Sequence, residues 1–531
     1  MISISYEKPN FILSFPYNEE DLRLVRSLSV REWDKKQKVW KVYHLAIKSL
    51  EELNNTVWSK EALVAKETIN RILSKCIDFQ FKKGEARGFL RPYQSAGISY
   101  LAFVNRGFLN DEMGLGKTVQ VIQTLLDLDC RKSLILCSAT LKRNWENEFL
   151  KHFNIQPLVI TGNAEERKEL WNSDNKFLIA NYDLLNRDWG IIPKKWDAII
   201  CDEVMHLKNH AATRTKLAKK LISKVRIPLS GTLFEKNIFE FHSVLDWAIP
   251  GLLPPFYRYK YRYCVFDFNG KVIDYKKDKL TELYTLTAPF ILRRTKDKVL
   301  TELPPKIYNY VPLDLDEMQK EAYKAIASEF IEWLRKQTGT NWGLNALQKR
   351  IKLRQFVEFA DIINLKVPNP KLDWLDEMYE ATNKMVVFSF FDESIKRLQK
   401  HFNTKYYISG SVDADKRVGI IDEFNAEEKA ILVSTDAGKY GVNITGADTI
   451  VHFGSVDNPA TMMQREDRLH RFGQKSIVNV YNPYYVGTID EGMMKKWQKE
   501  RDNLKEFEEG TELMAKVNLS RTDFERMIYG N

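Results

Sequence analysis

Asp111-Glu-Met-Gly-Leu-Gly-Lys-Thr118 is the stretch on which the fold turns. The apolar run Gly107-Phe-Leu109 before it reads as a strand. Val119-Gln-Val-Ile-Gln-Thr-Leu-Leu126 after it has the spacing of an amphipathic helix. Strand, glycine-rich turn and helix is an arrangement that wraps phosphates. The turn's N–H groups point inward, and the helix N-terminus favours negative charge. Met113, Gly114, Leu115 and Gly116 then form the cradle, Lys117 reaches the terminal phosphates, and Thr118 offers its hydroxyl to Mg²⁺. The ligand implied is a nucleoside triphosphate. Asp111 stands where the general G-x-x-x-x-G-K-T pattern has its first glycine.

Working outward, short apolar runs alternate with helical patterns. Ser133–Cys137, Phe177–Ala180, Asp197–Cys201 and Arg226–Ser230 form one block. Met385–Ser389, Lys405–Ile408, Ala430–Ser434, Thr449–His452 and Ile477–Val480 form a second. Such alternation predicts parallel sheets with helices on both faces. The fold class is therefore α/β, with lobes over residues 81–304 and 305–531. Helical insertions are expected at about 240–290 and 314–368, with a helical tail at the C-terminus.

Residues 1–80 read as a small α+β domain ahead of these lobes. Phe11–Phe15 alternates like a strand, and Pro16–Asp21 reads as a turn entering a helix. Trp33 and Trp40 bracket the lysine-rich turn Asp34-Lys-Lys-Gln-Lys38. The rings read as core, and Lys35, Lys36 and Lys38 as a solvent-facing tip that can meet phosphates. Lys75–Arg87 reads as a polar, basic connector.

A second chemical feature ends the run Asp197-Ala-Ile-Ile-Cys201. Asp202 and Glu203 fall at the C-terminal end of a parallel strand, where such sheets bind ligands. Beside a phosphate loop, Asp202 would hold Mg²⁺ and Glu203 would orient and deprotonate the attacking water.

The chain has 531 residues, 44% of them hydrophobic, which fits several folded domains and excludes a disordered protein. Its net charge of +10 favours a polyanionic partner, although such a charge also serves solubility. Cys76, Cys130, Cys137, Cys201 and Cys264 form no C-x-x-C pair, so neither zinc nor a disulfide framework is expected. The N-terminus has no signal pattern, and no apolar run reaches membrane-spanning length. The expected location is cytoplasmic in a bacterium or phage-infected cell, or nuclear in a eukaryote, with no membrane partner. Protein partners are not legible, and a monomer is expected.

In order along about 400 residues, the motifs resemble those of Swi/Snf-type ATPases of helicase superfamily two. Leu90-Arg-Pro-Tyr-Gln94 resembles the motif in which a glutamine reads adenine, which implies ATP. Ser138–Trp145 resembles a segment lying along DNA. Leu229-Ser-Gly-Thr232 and Ser434–Gly438 with Gly441 and Asn443 resemble two further motifs. Phe290–Lys296 and Leu303–Lys306 resemble the inter-lobe segment. Gln464-Arg-Glu-Asp-Arg-Leu-His-Arg-Phe-Gly-Gln474 resembles the most family-specific motif.

The resemblance implies two RecA-like lobes, Mg²⁺ and ATP as cofactors, and nucleotide contacts from Gly441 and Gln464. It also implies arginine fingers at Arg468 and Arg471. Three apart, these would share a helical face and stabilise transition-state charge from the facing lobe. Lys142, Arg143 and Lys439 flank the DNA-facing motifs.

The chain departs from the family pattern at Met205, where a histidine is usual and His206 follows, and at Leu233, Lys236 and Lys439. The N-terminal residues resemble the HARP domain of annealing helicases. That implies an ATP-driven DNA translocase acting on branched DNA by annealing, fork regression or branch migration. The alternatives are a duplex translocase that moves DNA-bound proteins and a nucleic-acid-binding switch with a weak ATPase.

Overall fold

The computed structural model describes residues 1–28, 30–81, 84–231, 238–268, 272–336, 343–435, 444, 446–454, 459–471 and 473–498. The chain divides into two compact units, Met1–Thr295 and a second beginning at Lys296.

The first unit opens with a five-stranded sheet. Its strands are β1 (Ile2–Glu7), β2 (Asn10–Ser14), β3 (Glu32–Asp34), β4 (Val39–Tyr43) and β5 (Thr56–Trp58), in the order β3-β4-β2-β1-β5. The helix Glu19–Ser27 starts where the Asn18 side chain accepts from the N–H groups of Glu20 and Asp21. Ile2, Phe11, Leu13, Val25 and Val42 pack into one continuous core with Leu252, Leu253, Tyr259 and Tyr263. The small sheet is thus welded to the lobe that follows.

Two expectations are corrected here. Trp33 is not core. It lies on the edge strand β3 opposite Trp40, with ring centroids 5.1 Å apart, and stays 42% exposed. Residues 75–81 of the expected connector belong to the helix Lys60–Phe81, on which Ile69, Leu73 and Cys76 fall on one buried face.

The lobe's sheet comprises β7 (Ser133–Cys137), β8 (Leu158–Val159), β9 (Phe177–Asn181), β10 (Lys195–Cys201) and β11 (Ile222–Pro228). The order is β11-β10-β7-β9-β8, all parallel. β6 (Phe108–Leu109) joins at the far edge through a bridge from Leu109 to Leu229. Both faces are buried. Leu134, Leu136 and Ile199 point to one core, and Ile135, Cys137 and Ile200 to the other. The insertion contributes the helices Ile238–Ala248, Phe256–Tyr263 and Lys277–Thr287 and a hairpin of β12 (Cys264–Phe266) and β13 (Val272–Tyr275). The chain then returns as β14 (Ile291–Leu292), parallel to β6.

The second unit holds a six-stranded parallel sheet. Its strands are β15 (Lys306–Leu313), β16 (Lys384–Phe388), β17 (Tyr407–Ile408), β18 (Ala430–Ser434), β19 (Thr449–His452) and β20 (Val478–Tyr485), in the order β15-β20-β19-β16-β18-β17. Its insertion is the helices Glu317–Lys336 and Gly343–Glu358. β15 was not anticipated, because its polar and apolar residues mix and it is an edge strand with few buried positions. All five cysteines are buried free thiols. Among the described residues, no helix is long and apolar enough to cross a membrane.

Candidate nucleotide-binding site

β6 runs into the loop Asn110–Gly116, and the helix Lys117–Asp127 starts directly behind it. Gly114 and Gly116 have φ of +88° and +70°, where side chains are strained. A Cβ at Gly116 would also collide with Gln94 Nε2. Gln94 sits at the start of the helix Pro92–Val104. Its Oε1 accepts from the Arg91 N–H at 2.9 Å, and its Nε2 donates to the Leu115 carbonyl at 3.3 Å. Tyr93 Oη donates to the same carbonyl. The expected adenine reader is therefore fixed to the crest of the loop. Lys117 Nζ donates to the carbonyls of Asp111 at 2.6 Å and Glu112 at 3.4 Å, inside the turn. Met113 is half-buried, and Thr118 takes the second position of the helix.

β10 delivers the acid pair. Asp202 Oδ2 accepts from Trp145 Nε1 at 2.8 Å, and its Oδ1 from the Glu203 N–H at 2.9 Å. Burial raises the Asp202 pKa, although Trp145 and the Lys117 charge pull it down. Glu203 has φ +47° and ψ +56°, a left-handed conformation unusual for a non-glycine residue. Such strain persists where the surroundings dictate it and clusters at functional sites.

β11 brings Gly231 to the same place. A Cβ there would lie 2.7 Å from Met113 Cγ and 3.9 Å from Lys117 Nζ. The ends of β6, β10 and β11 therefore supply the loop, the acids and Gly231. Met205 is buried in the core, while His206 is exposed with its ring 4.8 Å from Tyr182. Leu233 and Lys236 lie outside the described residues.

Reading the sequence missed what Asp111 does. Its carboxylate is fully buried and accepts from Arg294 through Nε at 2.9 Å and through Nη2. Gln120 Nε2 donates to it at 3.0 Å, and Arg294 Nη2 also donates to Gln120 Oε1 at 2.7 Å. Arg294 Nη1 reaches the Tyr93 carbonyl. A Cβ at Gly97 would strike Gln120 and Arg294, so a glycine there makes room for the guanidinium. Arg293 Nη1 donates to the carbonyls of Asn110 and Gly231. The two arginines after β14 thus clamp the phosphate loop from below. The signal was an acid replacing the expected glycine, together with paired arginines far downstream.

In the second unit the expected helical face of Arg468 and Arg471 does not form. The helix Pro459–Glu466 ends first, and both arginines lie in the tight turns that follow. The acids beside them are paired within the unit. Asp467 accepts from Lys296 Nζ at 2.7 Å, and Glu466 accepts from Lys306 Nζ at 3.1 Å and Tyr308 Oη at 2.7 Å. Burial alone would raise the Glu466 pKa, but Lys306, His452 and Tyr308 hold it at about 2. Arg468 is buried, Arg471 half-buried, and Gln464 half-buried on the helix. Gly441 and Lys439 lie outside the described residues.

Of the expected DNA contacts, Arg143 is exposed at the start of the helix Lys142–Phe153. Lys142 is half-buried, with Nζ on the Ile160 carbonyl at 3.2 Å. Lys35, Lys36 and Lys38 are exposed on the β3–β4 turn, where Asp34 Oδ1 accepts from the N–H groups of Lys36 and Gln37.

Residues 30–362 match the SNF2-related domain, and residues 370–473 the helicase conserved C-terminal domain. An uncharacterized ATP-dependent helicase of Mycoplasma genitalium is 30% identical over 442 residues, 78% of this chain and 42% of that protein. The ISWI chromatin-remodeling complex ATPase ISW1 of Saccharomyces cerevisiae is 28% identical over 466 residues, 79% of this chain and 41% of that protein. The chain thus spans about two fifths of the length of these relatives. A Sulfolobus solfataricus SWI2/SNF2 ATPase core solved with dsDNA is 28% identical and covers 84% of this chain and 98% of its own. The TM-score is 0.40.

Proposed function

The chain belongs to the SNF2-related family, and on that premise we propose that it hydrolyses ATP and couples hydrolysis to movement along DNA. The observation that carries this reading is the meeting of three strand ends at one phosphate loop. Lys117 lies inside that loop, close enough for its charge to act on Asp202. Its ammonium would exchange the loop carbonyls for phosphate oxygens. Glu203 would orient and deprotonate water, and Gln94 would read adenine from the crest of the loop.

The Thr118 hydroxyl and the Asp202 carboxylate are hard oxygen donors and fit Mg²⁺. A cation would also relieve the cost of ionising the half-buried Asp202. When bound, Mg²⁺ neutralises charge on the phosphates. We assign transition-state charge stabilisation to Arg468 and Arg471, and nucleotide contact to Gln464 and Gly441.

The proposed track is duplex DNA, met by Arg143, Lys142 and Lys439. The proposed substrate is branched DNA, engaged through Lys35, Lys36 and Lys38, and the working form is a monomer. Changing these three hairpin lysines to Glu should weaken junction binding and fork regression far more than duplex binding. Unchanged regression would refute the assignment. The remodelling ATPases among the relatives favour a second reading, a duplex translocase that displaces bound proteins. Fork regression and protein displacement measured on the same DNA would separate the two.

A further inference from the structure

Phe256-Tyr-Arg-Tyr-Lys-Tyr-Arg-Tyr263 alternates rings and cations. As a helix it sorts them. Tyr259 and Tyr263 are fully buried, while Tyr257 and Tyr261 are 71% and 51% exposed, with ring centroids 4.8 Å apart. Arg258 is exposed beside them. This helix is fastened to the N-terminal sheet. Arg258 Nη1 donates to the Arg31 carbonyl at 2.7 Å, and Arg262 Nη1 to the Ser27 carbonyl at 2.8 Å. The Arg31 guanidinium lies 5.9 Å over the Trp40 ring, and Trp40 packs on the exposed Trp33. Rings and cations therefore continue from the helix to the hairpin tip.

The charge on this surface is not balanced. Glu282 neutralises Arg262, and Asp34 pairs with Lys41. Among the described residues, no carboxylate forms an ion pair with Arg26, Arg258, Lys35, Lys36 or Lys38. Burial, and then the charges of Arg258, Arg262 and Arg26, lower the Arg31 pKa to about 10. Arg31 Nε is buried without a hydrogen-bond partner. Like charges held together on rigid elements fit a polyanion. The exposed flat rings narrow the choice, because paired bases keep their faces hidden whereas unpaired bases stack on aromatic side chains.

We propose that the outer face of the helix Phe256–Tyr263 and the Trp33–Trp40 hairpin form one platform for an unpaired nucleic-acid strand. Bases stack on Tyr257, Tyr261 and Trp33, and phosphates meet Arg26, Arg258 and the hairpin lysines. An acidic peptide would satisfy the cations but leave the rings unused. The proposal deepens the branched-DNA reading above, since a junction that is being remodelled exposes unpaired bases.

The test is nucleotide-free binding by the full chain and its Tyr257→Ala/Tyr261→Ala variant to oligothymidylate, a fork with a single-stranded arm and blunt duplex. The two rings are exposed, so folding is not at stake. Affinity for oligothymidylate and for the fork should fall at least about fivefold, with blunt duplex as the internal reference. Ultraviolet crosslinks to oligothymidylate should map to Tyr257, Tyr261 or Trp33. Unchanged fork and oligothymidylate binding would overturn the proposal. So would competition by polyglutamate as effective as that by an oligonucleotide of equal charge. Absence of DNA-stimulated ATP hydrolysis in the parent chain would defeat the translocase reading and leave this binding result standing.

Discussion

Arg294→Met should detach the phosphate loop from its support. The guanidinium donates to both oxygens of Asp111, to Gln120 Oε1 and to the Tyr93 carbonyl, all in the interior of the lobe. Methionine fills much of the stem's volume and returns none of these bonds. Asp111 keeps only its bond from Gln120 and is left as a buried, uncompensated carboxylate. Removing one partner of a buried ion pair typically costs about 3–5 kcal/mol.

The loss falls on the loop carrying Lys117, so ATP affinity should drop well over tenfold and the loop amides should exchange faster. Hydrogen exchange by mass spectrometry and nucleotide titration read the two effects. The double variant Asp111→Asn/Arg294→Met removes the stranded charge. It should be less destabilised than the two single changes summed, by about 1 kcal/mol or more. Normal ATP affinity in Arg294→Met, or additive single changes, would refute the reasoning.

Other outcomes follow from the same geometry. Lys117→Ala or Glu203→Gln should abolish ATP turnover and leave DNA binding largely intact, as read by phosphate release and oligonucleotide titration. Gly116→Ala should lose nucleotide binding, because the φ of +70° strains any side chain and its Cβ strikes Gln94. Arg468→Ala and Arg471→Ala should each lower kcat by about 10³-fold with little change in ATP affinity, whereas a collapse of binding alone would make them ground-state contacts. His470 is held neutral, its pKa lowered from 6.5 to about 4 by burial and then by Lys296 and Lys306. An unfolded chain protonates it sooner, so this residue's contribution to stability should fall as pH drops from 6.5 towards 4. His470→Gln should flatten that part of the denaturation-midpoint profile.

The parallel sheets were legible because their strands are buried on both faces, so Ser133–Cys137 and Ala430–Ser434 read as mostly apolar runs. The edge strand β15 was not, since half-buried positions take mixed residues. Lys117, Asp202 and Glu203 were legible because their chemistry is local in sequence. The Asp111–Arg294 clamp was not, because its partners are 183 residues apart. The helical reading of Arg468 and Arg471 failed because the helix ends at Glu466 and the residues after it are turns, which their three-residue spacing does not reveal. The continuous core joining the N-terminal sheet to the lobe also changes how the sheet is best tested. Truncation at residue 80 would remove the N-terminal part of that core, so charge reversal at the hairpin is the cleaner perturbation.

The most direct measurement is the phosphate-release rate with Mg²⁺ and ATP, without DNA and with single-stranded, blunt duplex, forked and four-way DNA. Glu203→Gln serves as the background. Turnover should be low without DNA, rise with duplex and be greatest with forked or four-way DNA. Turnover no higher than that of Glu203→Gln on every DNA would contradict an ATP-driven DNA motor.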